Sequence, residues 1–204
     1  MQIELSTLNP SQVYFTMTQS LLPRPIAWVL SENEDGGHNL APFSYFNAVC
    51  SAPPLVAVSA SPRPDGSPKD TAANIAARRR FVVHIAHREL VEALNESSAG
   101  LPPGASEVAH LGLATAPLEG FSLPRLADCR VAFACELERV IELGPGPQSL
   151  ILGEVNSVYL ADEVTSRDGK GRLKVHADRV DPVSRLGPTE YAALGEILTL
   201  SRPA

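Results

Sequence analysis

The chain has 204 residues, 44% of them hydrophobic, and a formal net charge of -6. That length suits one large domain or two small ones, with a core that needs no disulfide or metal support. The acidic balance and the scattered basic residues speak against a nucleic-acid surface.

The three cysteines, Cys50, Cys129 and Cys135, have neither metal-ligand spacing nor an even disulfide framework. They read as small buried hydrophobes of a protein in a reducing cytoplasm. The opening "MQIELSTLNPSQVYF" lacks the basic start and long apolar run of a secretory signal. No window approaches the roughly 18 apolar residues of a membrane span. A soluble, intracellular protein is expected.

In chain order, strands are predicted over 26–30 and 40–45, joined by the hairpin turn "SENEDGGH". A third strand follows over 55–59. "DTAANIAARRR" reads as a helix capped by Asp70 or Thr71 and ended by arginines, whose charge suits a helix C-terminus. Strand 81–85 comes next, then a short amphipathic helix in "HRELVEALNESS". Residues 99–125 form an excursion with little regular structure. Long strands over 130–141 and 150–160 complete the set, and "GPTEYAALGEIL" near the end reads as a third helix. Strands and helices do not alternate, and no Gly-x-Gly-x-x-Gly follows a strand. A doubly wound parallel sheet is thereby disfavoured against an antiparallel barrel with helical insertions.

The chemistry-bearing residues are few. There is no Gly-x-Ser-x-Gly elbow for a nucleophilic serine. His84 and His87 lie three apart at a strand end, without helical support for a metal pair, and no metal site is expected. In "SPRPDGSPKDTAANIA" a loop and Lys69 lead into a helix start. Free N–H groups there, the Lys69 charge and the Thr71 hydroxyl suit a phosphate, provided Asp70 caps the helix or points away. The alternative is an ordinary capped helix with a solvated lysine. In "NLAPFSYFNAVCSAPPLVAVSAS", Pro42 removes a ladder donor and so belongs at an edge or a bulge. Backbone groups released there need partners, either a planar heteroaromatic ring or water.

Four pieces in order, "PRPIAWVLS", "NLAPFSYFNAVCSAPPLVAVS", "KDTAANI" with "FVVHI", and "DPVSRLGPTEYAALGEI", together resemble the flavin reductase-like family of FMN-binding split barrels, in its flavoredoxin-type branch. The resemblance covers nearly the whole chain. It implies one FMN-binding domain over 1–204, with 99–125 as an irregular excursion and 181–204 as a tail segment. The fold implied is mainly β, a six-stranded antiparallel Greek-key split barrel. It is usually a homodimer with FMN at or near the subunit interface.

Carried onto matching positions, the backbone of Ala41, Pro42 and Phe43 lies along the flavin ring, and Ser44 faces the ribityl or phosphate end. Lys69 and Thr71 hold the phosphate, and Ser59 and Ser61 stand on that side. Asn39 and Asn47 support the loop or the pyrimidine edge. Arg24, Trp28 and Ser31 lie near the site. Hydride transfer is then cofactor chemistry, and no essential protein acid or base is nominated. His38 is either a turn residue or a substrate contact. The implied activity is an NAD(P)H-dependent flavin oxidoreductase that passes electrons to free flavin, a partner oxygenase or another acceptor. The alternatives are an FMN electron carrier reduced by a partner protein and a non-flavin ligand-binding barrel.

Overall fold

Seven strands carry the architecture in the computed structural model, which describes residues 1–146, 148–201 and 203. They are β1 (Ala27–Glu32), β2 (His38–Phe43), β3 (Phe46–Ser51), β4 (Pro54–Ala60), β5 (Arg80–Ile85), β6 (Val131–Leu143) and β7 (Gln148–Leu160). Their order in the sheet is β2-β1-β5-β6-β7-β4-β3, with every pairing antiparallel.

The two edge strands, β2 and β3, are consecutive in the chain, with only Ser44 and Tyr45 between them. The chain therefore steps from one edge of the curled sheet to the other. The Ser59 N–H on β4 donates to the Tyr45 carbonyl at 2.9 Å and holds that step in place. This is the split of a split barrel. The strand beyond the expected six is Phe46–Ser51. It is exposed along nearly its whole length, so no alternation of apolar residues marks it. Pro42 sits on β2, an edge strand, opposite Trp28, where a missing ladder donor costs least.

Side-chain alternation sends β1 into two cores. Ala27 and Val29 join Phe43, Val58, Phe81, Val83, Cys135 and Ile151 on one face, which α2 (Asp70–Arg78) closes with Ala72 and Ile75. Trp28 and Leu30 join Val82, Ala132 and Ala134 on the other face. The excursion covers that second face with Val108, Leu118 and Leu123, and its regular structure is a four-residue helix (Glu107–His110) and a pairing of Thr115–Ala116 with Arg125–Leu126. Each leucine so buried contributes about 1.5–3 kcal/mol, so the excursion is part of the core. Gly153 of β7 marks where the packing is tightest. A Cβ there would stand 2.3 Å from the buried Phe81 ring.

Helix α2 ends as the arginine run predicts. Arg78 closes it, and Arg79 takes the left-handed conformation (φ 64°) that turns the chain into β5. Helix α3 (Val91–Glu96) lies within the second expected helix. Four expectations change. Helix α2 has Lys69 at its N-cap position and no side-chain cap, where Asp70 or Thr71 was expected to cap it, because both already lie in the first helical turn. Helix α1 (Pro10–Ser20) was not anticipated, although Asn9, Pro10 and Gln12 spell a capping box with proline in the first turn. The helix expected in "GPTEYAALGEIL" is not formed. Residues 191–192 instead pair with Ser184–Arg185, which pairs in turn with Arg24–Pro25, because a turn closed by Leu186 N–H to the Glu190 carbonyl folds the tail back. Of the cysteines, Cys129 and Cys135 are buried, their thiols pushed up to about 12 by burial, whereas Cys50 on the edge strand β3 is exposed. Among the described residues no helix is long and apolar enough to cross a membrane.

Candidate functional site

The step between β2 and β3 lies beside the start of α2. No side chain caps that helix. Its first intrahelical bond is Ala73 N–H to the Lys69 carbonyl at 3.0 Å, so the N–H groups of Asp70, Thr71 and Ala72 have no intrahelical partner. The acidic residue at this terminus is neutralised. The Asp70 carboxylate pairs with the Arg63 guanidinium at 2.7 Å, and Arg63 also donates to the Pro68 carbonyl at 2.7 Å. Lys69 forms no ion pair among the described residues. Its ammonium lies 5.8 Å from the centre of the Phe43 ring, and burial, followed by the charge of Arg63, holds its pKa below the usual lysine value.

A buried amide network fixes Thr71 from behind. Asn39 Nδ2 donates to Thr71 Oγ1 at 2.8 Å and to Ser31 Oγ at 3.3 Å. Asn74 Nδ2 donates to the same Ser31 Oγ at 3.3 Å and to Asn33 Oδ1 at 2.8 Å. Because Thr71 Oγ1 already accepts a hydrogen bond, its own proton is left to donate elsewhere. On the far wall Glu107 accepts the Leu40 N–H at 2.8 Å, and burial raises its carboxyl pKa.

Two grooves meet at this point, sharing Pro42, Phe43 and Lys69. One, of about 300 Å³, is bounded by Asn39, Ala41, Thr71 and Glu107. The other, of about 400 Å³, is bounded by Ser44, Tyr45, Ser59, Ser61 and Gln148. Gln148 Nε2 donates to Ser59 Oγ at 2.8 Å, which leaves the Ser59 proton free. A further cavity of about 390 Å³ lies across Pro42 and Ser44, between α1 and the tail.

The structure thus gathers Asn39, Ala41, Pro42, Phe43, Ser44, Ser59, Ser61, Lys69 and Thr71 around one pair of grooves. Four other expected residues stand elsewhere. Trp28 is wholly buried and spends its indole N–H on Ser97 Oγ at 2.9 Å. Ser31 is equally buried, behind Asn39. Asn47 lies on β3, accepts its neighbour's N–H at 2.9 Å, and lines an adjoining recess with Met17 and Leu21 on the other side of Ser44 and Tyr45. Arg24 is 3% exposed and binds the carbonyls of Thr18, Leu21 and Leu186, with Ser44 Oγ at 3.4 Å. It acts as a clamp, with little left to offer a ligand.

Tyr14, Arg63, Glu107 and Gln148 also stand in the walls and were not anticipated. Tyr14 belongs to a helix that the apolar pattern does not announce. Gln148 reaches Ser59 only through the β7–β4 pairing, a contact 89 residues apart in the chain. Only "RPDGS", a turn signal, hinted at the loop that carries Arg63.

His84 has no role here. Its Nδ1 lies 3.0 Å from the Trp28 carbonyl, and its Nε2 accepts the Leu126 N–H at 2.9 Å. The hydrogen is therefore on Nδ1, the ring is neutral, and burial pushes its pKa to about 4. The grooves present a cation, a hydroxyl and free N–H groups for an anion beside a flat apolar wall. Among the described residues they hold no nucleophile–base pair.

Comparison with known proteins agrees with this geometry. A family model described as "Flavin reductase like domain" matches residues 18–180. An uncharacterized protein of Halalkalibacterium halodurans is 38% identical over all of this chain and 97% of its own length. Among solved structures, nitrilotriacetate monooxygenase component B from Bacillus cereus is 37% identical, with a TM-score of 0.90 over 98% of both chains. The 2-nitrobenzoate 2-nitroreductase NbaA of Pseudomonas fluorescens is 30% identical, with a TM-score of 0.86 over 100% of this chain and 96% of its own. Sequence, sheet topology and groove chemistry converge, and the chain belongs to the flavin reductase-like family.

Proposed function

We propose that this protein is an FMN-binding flavin reductase that takes hydride from NADH or NADPH and passes electrons to free flavin, a partner oxygenase or another acceptor. The observation that carries this reading is the uncapped start of α2. Three N–H groups without intrahelical partners, the Thr71 hydroxyl proton and the Lys69 ammonium, unpaired among the described residues, converge there, beside the Phe43 ring. A phosphomonoester satisfies that donor set, and the strip from Ala41 to Phe43 offers the ring of the same ligand a flat wall. The residues present therefore fit FMN.

In this reading Lys69, Thr71 and the N–H groups of α2 bind the phosphate, with Ser44, Ser59 and Ser61 along the ribityl side. Asn39, Ser31 and Asn74 orient Thr71. Pro42 keeps the edge strand free of a ladder donor beside the ring, and Phe43 excludes water from it. Bound FMN supplies the hydride-accepting ring, and the protein supplies position and electrostatics. No side chain is assigned as acid or base.

A homodimer belongs to the same reading. Val49 on the edge strand β3, and Val140, Ile141, Leu143 and Val158 on β6 and β7, are large apolar side chains left exposed, and an uncovered edge invites pairing. A cytoplasmic location also goes with it, since all three cysteines are free thiols.

The test is spectroscopic. Purified protein titrated with FMN should give a yellow complex that bleaches on anaerobic addition of NADH or NADPH. A complex that stays yellow with both would make the protein an electron carrier. No complex at all would sink the flavin reading.

A further inference from the structure

The cavity across Pro42 from the Lys69 grooves has a different chemistry. Its walls are the aromatic rings of Tyr14 and Phe15 on α1 and Tyr191 on the tail, and its base includes Ile26 and Pro42. Two guanidinium groups, Arg24 and Arg185, line it, and among the described residues no carboxylate does. That is a local inversion of a chain whose net charge is -6. Glu190 is the nearest acidic residue on the tail turn. It lies against Gly187, is exposed, and makes no ion pair with Arg185.

Arg24 is fully engaged as a clamp, but Arg185 is not. Strand pairing sets Arg185 between Arg24 and Tyr191, and its guanidinium carbon lies 4.5 Å from the centre of the Tyr191 ring. Nε donates to the Gly187 carbonyl at 3.2 Å, and Nη2 donates to the Pro188 carbonyl. Nη1 makes no hydrogen bond among the described residues. The Ser44 hydroxyl accepts from Arg24 Nε, so its proton is also free. A pre-oriented cation, one free hydroxyl donor and three aromatic rings around about 390 Å³ match a small planar ring bearing one anionic group. One cation is too few for a pyrophosphate.

We propose that this cavity is a subsite for an aromatic monocarboxylate, with Arg185 Nη1 pairing with the carboxylate and the rings of Tyr14, Phe15 and Tyr191 enclosing the aromatic body. The inference rests on the FMN reading only in setting this ligand beside the flavin, on the opposite side of Pro42 and Ser44. It assigns Arg185 as a residue that selects the second substrate and leaves FMN binding unaffected.

The test is calorimetric titration of the full chain, with and without FMN, using benzoate, the neutral isostere benzamide, and NAD+. Benzoate is expected to bind at least about tenfold more tightly than benzamide, the range of a hydrogen bond to a charged group. Arg185→Gln should remove that preference, leave benzamide binding as it was, and leave the FMN dissociation constant within about twofold. Arg185→Lys should restore part of the preference.

Equal binding of benzoate and benzamide by the wild type would overturn the proposal. So would a loss of both ligands in Arg185→Gln and Arg185→Lys alike, which would reduce Arg185 to a brace for the Gly187–Pro188 turn. So would NAD+ binding that depends on Arg185 and exceeds benzoate binding, which would give the cation to the donor dinucleotide. If benzoate binds through Arg185 while FMN does not bind at all, the flavin reading falls and the carboxylate subsite stands. If FMN binds and benzoate does not, the subsite falls alone.

Discussion

The two sides of the Pro42–Ser44 strand end are built to different standards. On the α2 side, Thr71 is held by Asn39, which shares Ser31 with Asn74, which reaches Asn33, and each of these side chains is buried. On the α1 side, the tail rests on two-residue pairings, and the aromatic walls Tyr14 and Phe15 stand 56% and 46% exposed. A satisfied buried network fixes a unique geometry, whereas exposed rings facing a tail held by two-residue pairings adapt. The difference suits a constant ligand on the first side and a variable one on the second.

The largest expected effect comes from removing the residue that ties α1, the strand end and the tail together. Arg24 binds α1, Ser44 and the tail at once while almost wholly buried. Arg24→Ala leaves three carbonyls without that donor, and a loss on the order of 3–5 kcal/mol follows. Chemical denaturation would measure it. Hydrogen exchange should show α1 and residues 184–192 loosened well before α2. A uniform loss of protection would erase the contrast between the two sides.

Next comes acid. His84 joins β1 to the excursion through the Trp28 carbonyl and the Leu126 N–H. Its folded pKa of about 4 lies below the ordinary 6.5, so the native state favours the neutral ring. Between those two values the unfolded chain binds more protons. The contribution is therefore complete above about pH 6.5 and lost as the pH falls toward 4, on the order of 3 kcal/mol in all. Glu107, whose carboxyl burial raises, acts in the opposite sense. Melts from pH 7.5 down to 4.5 should show the decline, and His84→Gln should flatten it. An unchanged slope in that variant would relieve His84 of the effect.

Of comparable size is the loss of phosphate donors. Lys69→Ala with Thr71→Ala should weaken FMN binding by about 100-fold or more, since each removes a charge-assisted bond. Fluorescence titration would read it. Benzoate affinity measured without FMN should stay put, because neither residue touches that cavity. A matching fall in benzoate affinity would mean that the two sides are one site.

How much of this was written in the sequence depends on whether a residue's role is local. The α2 terminus is local chemistry, since a loop, Lys69, a helix start and Thr71 are contiguous, and so is the edge position of Pro42. The grouping of Ser59 and Ser61 with Lys69 came through the family resemblance. Trp28 was illegible because β1 is buried on nearly its whole length. With apolar residues facing both ways, nothing in "IAWVLS" says which face turns to a ligand. The tail misled in the other direction. Tyr191, Leu194 and Leu198 fit a helical spacing, but the Gly187–Pro188 turn returns the chain to strand pairing with Arg185. Helix α1 carried its capping signal openly, yet buries only Thr18, so no apolar stripe announced it.

The smallest effect tests how the α2 side tolerates its own acidic residue. Asp70 stands in the first turn, where its charge favours the helix but opposes a bound phosphate. Arg63 offsets that charge at 2.7 Å, in a pair whose side chains are 30% and 25% exposed. Partly exposed pairs are worth about 1 kcal/mol or less, so Arg63→Ala should weaken FMN binding by no more than about fivefold, with little change in stability. The same pairing accounts for the direction of the double variant. With Arg63→Ala already made, Asp70→Asn should recover the affinity by removing the repulsion itself, and raised salt should do part of the same. If Arg63→Ala weakens FMN binding and Asp70→Asn does not restore it, then Arg63 contacts the phosphate directly, and the anion site extends from the helix start into the 61–68 loop.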